Sequence, residues 1–462
     1  MTELWKTLKT EIKRHPMQVI CEENFSLTYK DAIAFAEDFA KRLKGIKCCA
    51  ILCRSEMNAG LALLSCFAAG VCAVPLAKRY GSLHCERIMS LIGPDAVISD
   101  DGGRLSLHQL NDASYTEPET HPALIMCTSG TTGSPKGVML TERNIITNIK
   151  DIVSYFLINS SDSILITRPL YHCAALTGEF LVGLIKGVCI RFFSGSFNPA
   201  LVLKLSKQHK ITTLCSTPTL LSIIAHFNRQ PEESRIRHIC ISGECMGFEI
   251  GLKISRAFPN AEIYHVYGLT EACPRVAYLP PYMFERYADC VGVPLASVEL
   301  KIICKDGSMA ENGEIGCLYI KGGNIMSGYY RNEEKTREVL KDGWLCTNDL
   351  ACFNEKGLLR IMGRADDLII KAGMNIYPKE IENALGCDPR VKELYVYGYE
   401  SEGYGTQIAL DISGDFSDAA EVKALCLKCL PAYQIPTDIN LVDELEKNIS
   451  GKIIRRKNYA GV

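Results

Sequence analysis

Short apolar runs that read as strands alternate with segments of helical periodicity from Leu27 to about residue 360, and this alternation confines the chain to α/β architectures. The runs ALIMC (123–127), SILIT (163–167) and RHICIS (237–242) are the clearest strands. A length of 462 residues exceeds what one ordinary core accommodates, so a large domain with at least one smaller companion is expected. After Gly363 the pattern changes. GRADDLIIKAGMNIYPKEIENAL reads as a charged turn, a short strand, a glycine-containing loop and a helix whose first turn accepts Pro378, where a missing N–H costs nothing. The boundary is placed between Arg364 and Asp366. Residues 1–363 are then a domain of helix-covered β-sheets, and 364–462 a small α+β domain.

A formal charge of -2 provides no long-range field for nucleic acid or an anionic membrane, so an anionic ligand has to be held by local groups. With 47% hydrophobic and 23% charged residues, the composition is that of a soluble globular protein and excludes disorder. Cysteines such as Cys48, Cys49, Cys53, Cys66 and Cys72 sit inside apolar runs, which suits reduced thiols packed in the core of a cytoplasmic protein. The CxxC formed by Cys426 and Cys429 lies in a helical stretch without a second pair nearby and reads as packing rather than zinc binding. The opening MTELWKTLKTEIKRH has no apolar core of the secretory type, so a cytoplasmic location is expected. Ala59 to Ala77 reaches the lower length of a membrane span, but Gly60, Gly70 and Pro75 favour a buried helix, a turn at Gly70 and a strand near 71–76.

The strongest local signal is CTSGTTGSPKGVML, residues 127–140. From Thr128 to Ser134 every residue is Gly, Ser or Thr, so backbone N–H groups and hydroxyls can converge on phosphate oxygens without steric conflict. Lys136 adds a positive charge. Pro135 stands where a Walker loop needs its second glycine, and a strand-like GVML follows before a helix opens near Thr141. The segment is a phosphate cradle of another design.

TSGTTGSPKG resembles the signature of the adenylate-forming superfamily, which comprises acyl-CoA and aryl-CoA synthetases, peptide-synthetase adenylation domains and firefly luciferase. Further motifs of that superfamily follow in order to the C-terminus. The resemblance implies that Thr128, Ser129, Gly130, Thr131, Thr132, Gly133 and Lys136 bind nucleotide phosphates. In Tyr267-Gly268-Leu269-Thr270-Glu271 it implies that Tyr267 stacks on adenine, Thr270 contacts the α-phosphate and Glu271 holds Mg²⁺. A carboxylate oxygen suits that ion, and an aromatic face suits a base. Ser242, Gly243 and Glu244 resemble the adenine-side loop, and His265 falls at a polar adenine contact. Asp349 resembles the ribose acceptor, joined by Arg364, with Asp366 as the hinge. Asn348 stands where the family has glycine, and asparagine tolerates left-handed backbone geometry. Lys452 in NISGKIIRR resembles the lysine that reaches both the carboxylate and the α-phosphate; Asn448 replaces a threonine there.

The expected activity is therefore ATP- and Mg²⁺-dependent activation of a small carboxylic acid as acyl-AMP, followed by transfer to CoA or to the phosphopantetheine of an acyl carrier protein. Pro169-Leu170-Tyr171-His172 is similar to the acyl-CoA and aryl-CoA ligase form, with His172 lining the acyl pocket. The region lacks the aspartate that amino-acid-activating domains use. Arg275, just beyond the Tyr267–Glu271 motif, faces either a polar group of the substrate or solvent, and solvent is the preferred reading. Two other readings stay open at this point: a non-catalytic nucleotide-binding protein that keeps the fold, and a dedicated carrier-protein loader.

Overall fold

The computed structural model describes residues 2–76, 82–101, 103–129, 135–195, 197–371, 374–401, 405–446 and 453. Among them, two large sheets form the N-terminal part. A seven-stranded sheet runs, edge to edge, through Gly328–Tyr329, Pro135–Leu140, Leu124–Ser129, Cys72–Pro75, Cys48–Leu52, Ala96–Asp101 and Arg104–Gln109. Its centre is parallel, and the Leu124–Ser129/Pro135–Leu140 hairpin is antiparallel. A nine-stranded sheet is parallel from Val19–Glu22 through Cys189–Phe192, Ser163–Ile166, Thr213–Ser216 and His238–Ile241 to Glu262–Gly268. Strands buried on both faces read as continuous apolar runs rather than alternating ones, which is why the three sequence runs were legible.

Helices fill the space between the sheets, and their ends are encoded locally. Glu56–Ala69 begins at Ser55, whose side chain accepts from the amide of Asn58, and stops at Gly70, which takes φ 73°. The following strand Cys72–Pro75 completes the helix, turn and strand expected for the apolar stretch from Ala59 to Ala77. No helix among the described residues is long and apolar enough to cross a membrane. Glu142–Tyr155 starts with a reciprocal cap in which Thr141 and Asn144 each accept from the other's backbone, an arrangement that contributes about 1 kcal/mol.

A third, five-stranded antiparallel sheet contains Val298–Ile303, Gly316–Gly322, Trp344–Phe353, Leu340–Lys341 and Leu359–Arg364. Beyond it, Val391–Ser401, Gly405–Gly414 and Asp438–Leu441 make a small sheet against the helices Pro378–Leu385 and Ala419–Cys429. This C-terminal piece has its own apolar cluster, including Ile376, Ile381, Leu385, Val396, Ile408, Leu410, Val422 and Cys426. Pro378 occupies the first turn of its helix. Cys426 is buried in this cluster and Cys429 is exposed one turn further on, so the CxxC lies on a helix as its sequence suggested. Cys48, Cys49, Cys66 and Cys72 are buried free thiols, and Cys53 is half-buried.

Candidate active site

The site assembles where the ends of the three sheets meet. In the Leu124–Ser129/Pro135–Leu140 hairpin, Thr128 faces Lys136 and Ser129 faces Pro135. Gly130, Thr131, Thr132 and Gly133, between these strands in the sequence, lie outside the described residues, and so do Lys452 and Asn448. Tyr329 pairs with Val138 at the sheet edge, and the Lys136 ammonium lies 5.5 Å from the centre of its ring.

Glu271 belongs to the short helix Thr270–Ala272, directly after the strand Glu262–Gly268. Its Oε1 accepts a 2.9 Å hydrogen bond from the Tyr329 hydroxyl, and its carbonyl accepts at 2.9 Å from the amide of Met326. The capped helix Glu142–Tyr155 supports that loop, because Asn144 Nδ2 donates to the carbonyls of Gly323 (2.9 Å) and Ile325 (2.7 Å). Gly268 is required by sterics: a Cβ there would stand 2.0 Å from the carbonyl oxygen of Pro274.

Tyr267, one residue earlier on the same strand, donates a short hydrogen bond to Asp349 Oδ2. Arg364 Nη1 donates to Asp349 Oδ1 at 3.2 Å and to the Thr347 carbonyl at 3.0 Å. Asp349 and Arg364 face each other in the ladder between Trp344–Phe353 and Leu359–Arg364, with an irregularity just beyond Asp349. Asn348 takes φ 59°, the left-handed conformation that a glycine at this position supplies in the family pattern. Burial pushes the Asp349 carboxyl above the usual range, opposed by Arg364 and by the Tyr267 hydrogen bond. The same burial, with Asp349 nearby, raises the Tyr267 phenol. Each acid in the cleft thus receives a tyrosine hydroxyl, and Glu271 is close enough to add to the upward push on Asp349.

The remaining residues lie around this centre. Ser242 is buried, and its hydroxyl accepts at 3.0 Å from Arg168. Gly243 has φ 96° and is exposed; Glu244 Oε2 accepts from the Thr219 hydroxyl at 2.6 Å. His172 is half-buried, its ring 4.3 Å from that of Tyr171. The segment that follows His172 is tied to the one following Glu271, since Thr177 Oγ1 donates to the Cys273 carbonyl at 3.1 Å. Asp366 is exposed in the short turn Ala365–Asp367, after Arg364.

His265 and Arg275 both lie deeper than expected. His265 is only 1% exposed, with Nδ1 2.9 Å from the Ala288 carbonyl, so its ring holds the strand to a neighbouring loop. Burial lowers its pKa to about 4. Arg275 is buried rather than solvent-facing, because its strand Arg275–Leu279 lies between two others. Its backbone exchanges hydrogen bonds with Asn148, and its guanidinium lies beside Cys240 and the Arg168–Glu179 ion pair. Tyr329 is the residue in contact with the candidate site that sequence reasoning missed. Nothing local in SGYYR marks it, since its partner Glu271 is 58 residues away.

Two acids, each receiving a tyrosine hydroxyl, thus stand near the Leu124–Ser129/Pro135–Leu140 hairpin where strands of the three sheets end. The chain belongs to the AMP-binding enzyme family, whose model matches residues 8–330, with the AMP-binding enzyme C-terminal domain matching 380–452. It is 30% identical to a 2-succinylbenzoate–CoA ligase of Bacillus licheniformis across 98% of each chain. It is 33% identical to a long-chain-fatty-acid–CoA ligase of Haemophilus influenzae over 74% of this chain, and the match spans 63% of that protein's length. Among solved structures, O-succinylbenzoate coenzyme A synthetase of Bacillus subtilis in complex with AMP superimposes with a TM-score of 0.84 at 27% identity, covering 97% of this chain and 96% of that one. The same enzyme in complex with ATP and magnesium ion gives 0.83, at 27% identity and with 97% and 98% covered.

Proposed function

We propose that this chain is an AMP-forming acid–thiol ligase. A carboxylate oxygen of a small acid attacks the α-phosphorus of ATP, the bond to pyrophosphate breaks, and acyl-AMP forms. The thiolate of CoA then attacks the acyl carbon and AMP leaves. The observation that carries this reading is the bracketed pair of acids in one cleft, Tyr329–Glu271 and Tyr267–Asp349–Arg364. Both reactants are anions, so catalysis asks mainly for alignment and charge neutralisation.

In this reading Asp349 accepts from the two ribose hydroxyls, with Arg364 fixing its carboxylate, and the Tyr267 ring supports adenine. Thr128, Ser129, Gly130, Thr131, Thr132, Gly133 and Lys136 hold the phosphates, and Thr270 donates to the α-phosphate. The donor set fits magnesium: Glu271 offers one carboxylate, and no group of three His, Cys, Asp or Glu among the described residues could hold a metal, as suits an ion that takes its other ligands from phosphate and water. When bound, the ion supplies charge neutralisation across the phosphates. Ser242, Gly243 and Glu244 border the adenine side, and His172 lines the acyl pocket.

The domain boundary is placed at Arg364 to Asp366, with Asp366 as the hinge. Lys452 reaches the α-phosphate and the carboxylate during adenylation, and rotation about Asp366 withdraws it for thiolation. CoA is preferred over an acyl carrier protein as acceptor because the curated relatives are named as CoA ligases. The relative matching along nearly its whole length takes an aryl acid by its name, so an aryl or acyl acid of modest size is the substrate class. The cytoplasm, where ATP and CoA are at hand, is the compartment. A screen of carboxylic acids by ATP-dependent pyrophosphate release, with CoA and a phosphopantetheinylated carrier offered in parallel, tests the reading. Hydroxamate-trappable acyl-AMP and a CoA thioester are expected. ATP binding without pyrophosphate release from any acid supports the non-catalytic alternative.

A further inference from the structure

Tyr319, Cys317, Trp344 and Cys346 share the half-exposed outer face of the strands Gly316–Gly322 and Trp344–Phe353, while Leu318, Ile320 and Leu345 face the core. The sulfurs of Cys317 and Cys346 are 3.4 Å apart, in contact but not bonded. Tyr319 stands opposite Cys346 and Cys317 opposite Leu350, so the cysteines are diagonal neighbours across the irregularity in this ladder. A disulfide holds its sulfurs ~2.05 Å apart, so bonding has to close the 3.4 Å gap and pulls on the backbone at Cys346.

That backbone leads directly into the candidate site. Thr347, the next residue, donates from Oγ1 to the Leu318 carbonyl at 2.8 Å, accepts there from the Asp349 amide at 3.1 Å, and accepts on its carbonyl from Arg364 at 3.0 Å. A shift of Cys346 therefore moves the hydrogen bonds that aim Asp349. The pair is also chemically primed. The contact between the two sulfurs lowers the Cys346 pKa to about 6 and raises that of Cys317. The Lys301 ammonium lies over the rings of Tyr319 (5.5 Å) and Trp344 (4.2 Å) on this face. By contrast, Cys48, Cys49, Cys66, Cys72, Cys215 and Cys240 are buried where an oxidant has no access.

We propose that Cys317 and Cys346 form a reversible thiol–disulfide site, that its reaction partner is a low-molecular-weight disulfide of the glutathione disulfide type, and that oxidation weakens nucleotide binding through Asp349. The Cys346 thiolate attacks one sulfur of the small disulfide and expels the first thiolate. Cys317 then attacks the Cys346 sulfur of the mixed disulfide and expels the second. Two protein thiols lose two electrons and two protons, and the small disulfide becomes two thiols that take them up. The coupling to function rests on the reading of Asp349 as the ribose acceptor.

The test uses the full chain treated with glutathione disulfide at neutral pH, with peptide mapping and calorimetric titration of ATP, which needs no knowledge of the acid. Expected are a Cys317–Cys346 linked peptide and a rise of about tenfold in the ATP Kd, reversed by dithiothreitol. Cys317→Ser and Cys346→Ser, made separately, keep the untreated Kd and lose the response. Absence of the linked peptide overturns the site, and a linked peptide with unchanged Kd overturns the coupling. Asp349→Asn separates the two readings. If it raises the Kd while oxidation does not, the dithiol proposal alone fails; if it leaves the Kd unchanged, the ribose reading fails and takes the coupling with it.

Discussion

The Tyr329 hydroxyl donates a 2.9 Å hydrogen bond to Glu271 Oε1, and the same ring carries the Lys136 ammonium 5.5 Å above its centre. One aromatic side chain thereby touches both the basic group of the hairpin and the acid of the Thr270–Ala272 turn. Removing the hydroxyl leaves the ring under Lys136 but frees one Glu271 oxygen to turn. A hydrogen bond to a charged group is worth roughly 1.5–3 kcal/mol, so Tyr329→Phe is expected to raise the magnesium concentration for half-maximal pyrophosphate release about tenfold. Thermal stability should hold. A magnesium titration that superimposes on wild type would remove Tyr329 from the site.

Asp349 is a second acid held against its own preference. Burial raises its pKa, so the folded chain holds that proton more tightly than the unfolded chain does. The stabilising effect of protonation is complete below the ordinary aspartate value and fades as pH rises through the raised one; at neutral pH the buried carboxylate is a net cost. Asp349→Asn should therefore keep or raise Tm while weakening ATP binding roughly 10- to 100-fold, through loss of a charged acceptor. A variant with both lower Tm and unchanged ATP affinity contradicts the assignment in both respects.

His265 shifts in the other direction. Its pKa falls from 6.5 to about 4 because burial disfavours the imidazolium. The unfolded chain then binds the proton more readily, so stability is intact above about 6.5 and lost as pH falls toward 4, by at most roughly 3 kcal/mol. Urea midpoints measured between pH 7 and pH 4 should fall less steeply for His265→Gln than for wild type. Parallel curves would mean that other groups carry the acid limb.

Legibility in the sequence followed the range of the interaction. The parallel strands 163–166 and 238–241, the stop at Gly70 and the Thr141 cap are set within a few residues, and each was readable. Asn348 was readable for the same reason: its φ of 59° is a local demand that glycine or asparagine meets. The burial of Arg275 was not, because it depends on Asn148, Asn324 and the Arg168–Glu179 pair, brought together only by the sheet. The local reading carries its own test. Asn348→Gly should leave stability and ATP affinity near wild type, whereas Asn348→Val should cost about 1–2 kcal/mol and weaken ATP binding with it. Equal behaviour of the two variants would mean that the backbone at 348 is not held in that conformation.

Among the described residues the C-terminal piece has an apolar cluster of its own, separate from that of the N-terminal part. If Asp366 is where the backbone turns, the two half-reactions need different residues from the second lobe. Lys452→Ala should lower adenylation by about 100-fold or more, since it removes a cation from a reaction between two anions, while pre-formed acyl-AMP is still converted to thioester at nearly the wild-type rate. Asp366→Pro should do the reverse, because a fixed φ and a lost N–H restrict the turn without touching the nucleotide cleft. Pyrophosphate release and thioester formation from synthetic adenylate, measured side by side, separate the two. Equal losses in both half-reactions for Lys452→Ala would assign that lysine to general stability, and unimpaired thiolation in Asp366→Pro would move the pivot elsewhere in 364–378.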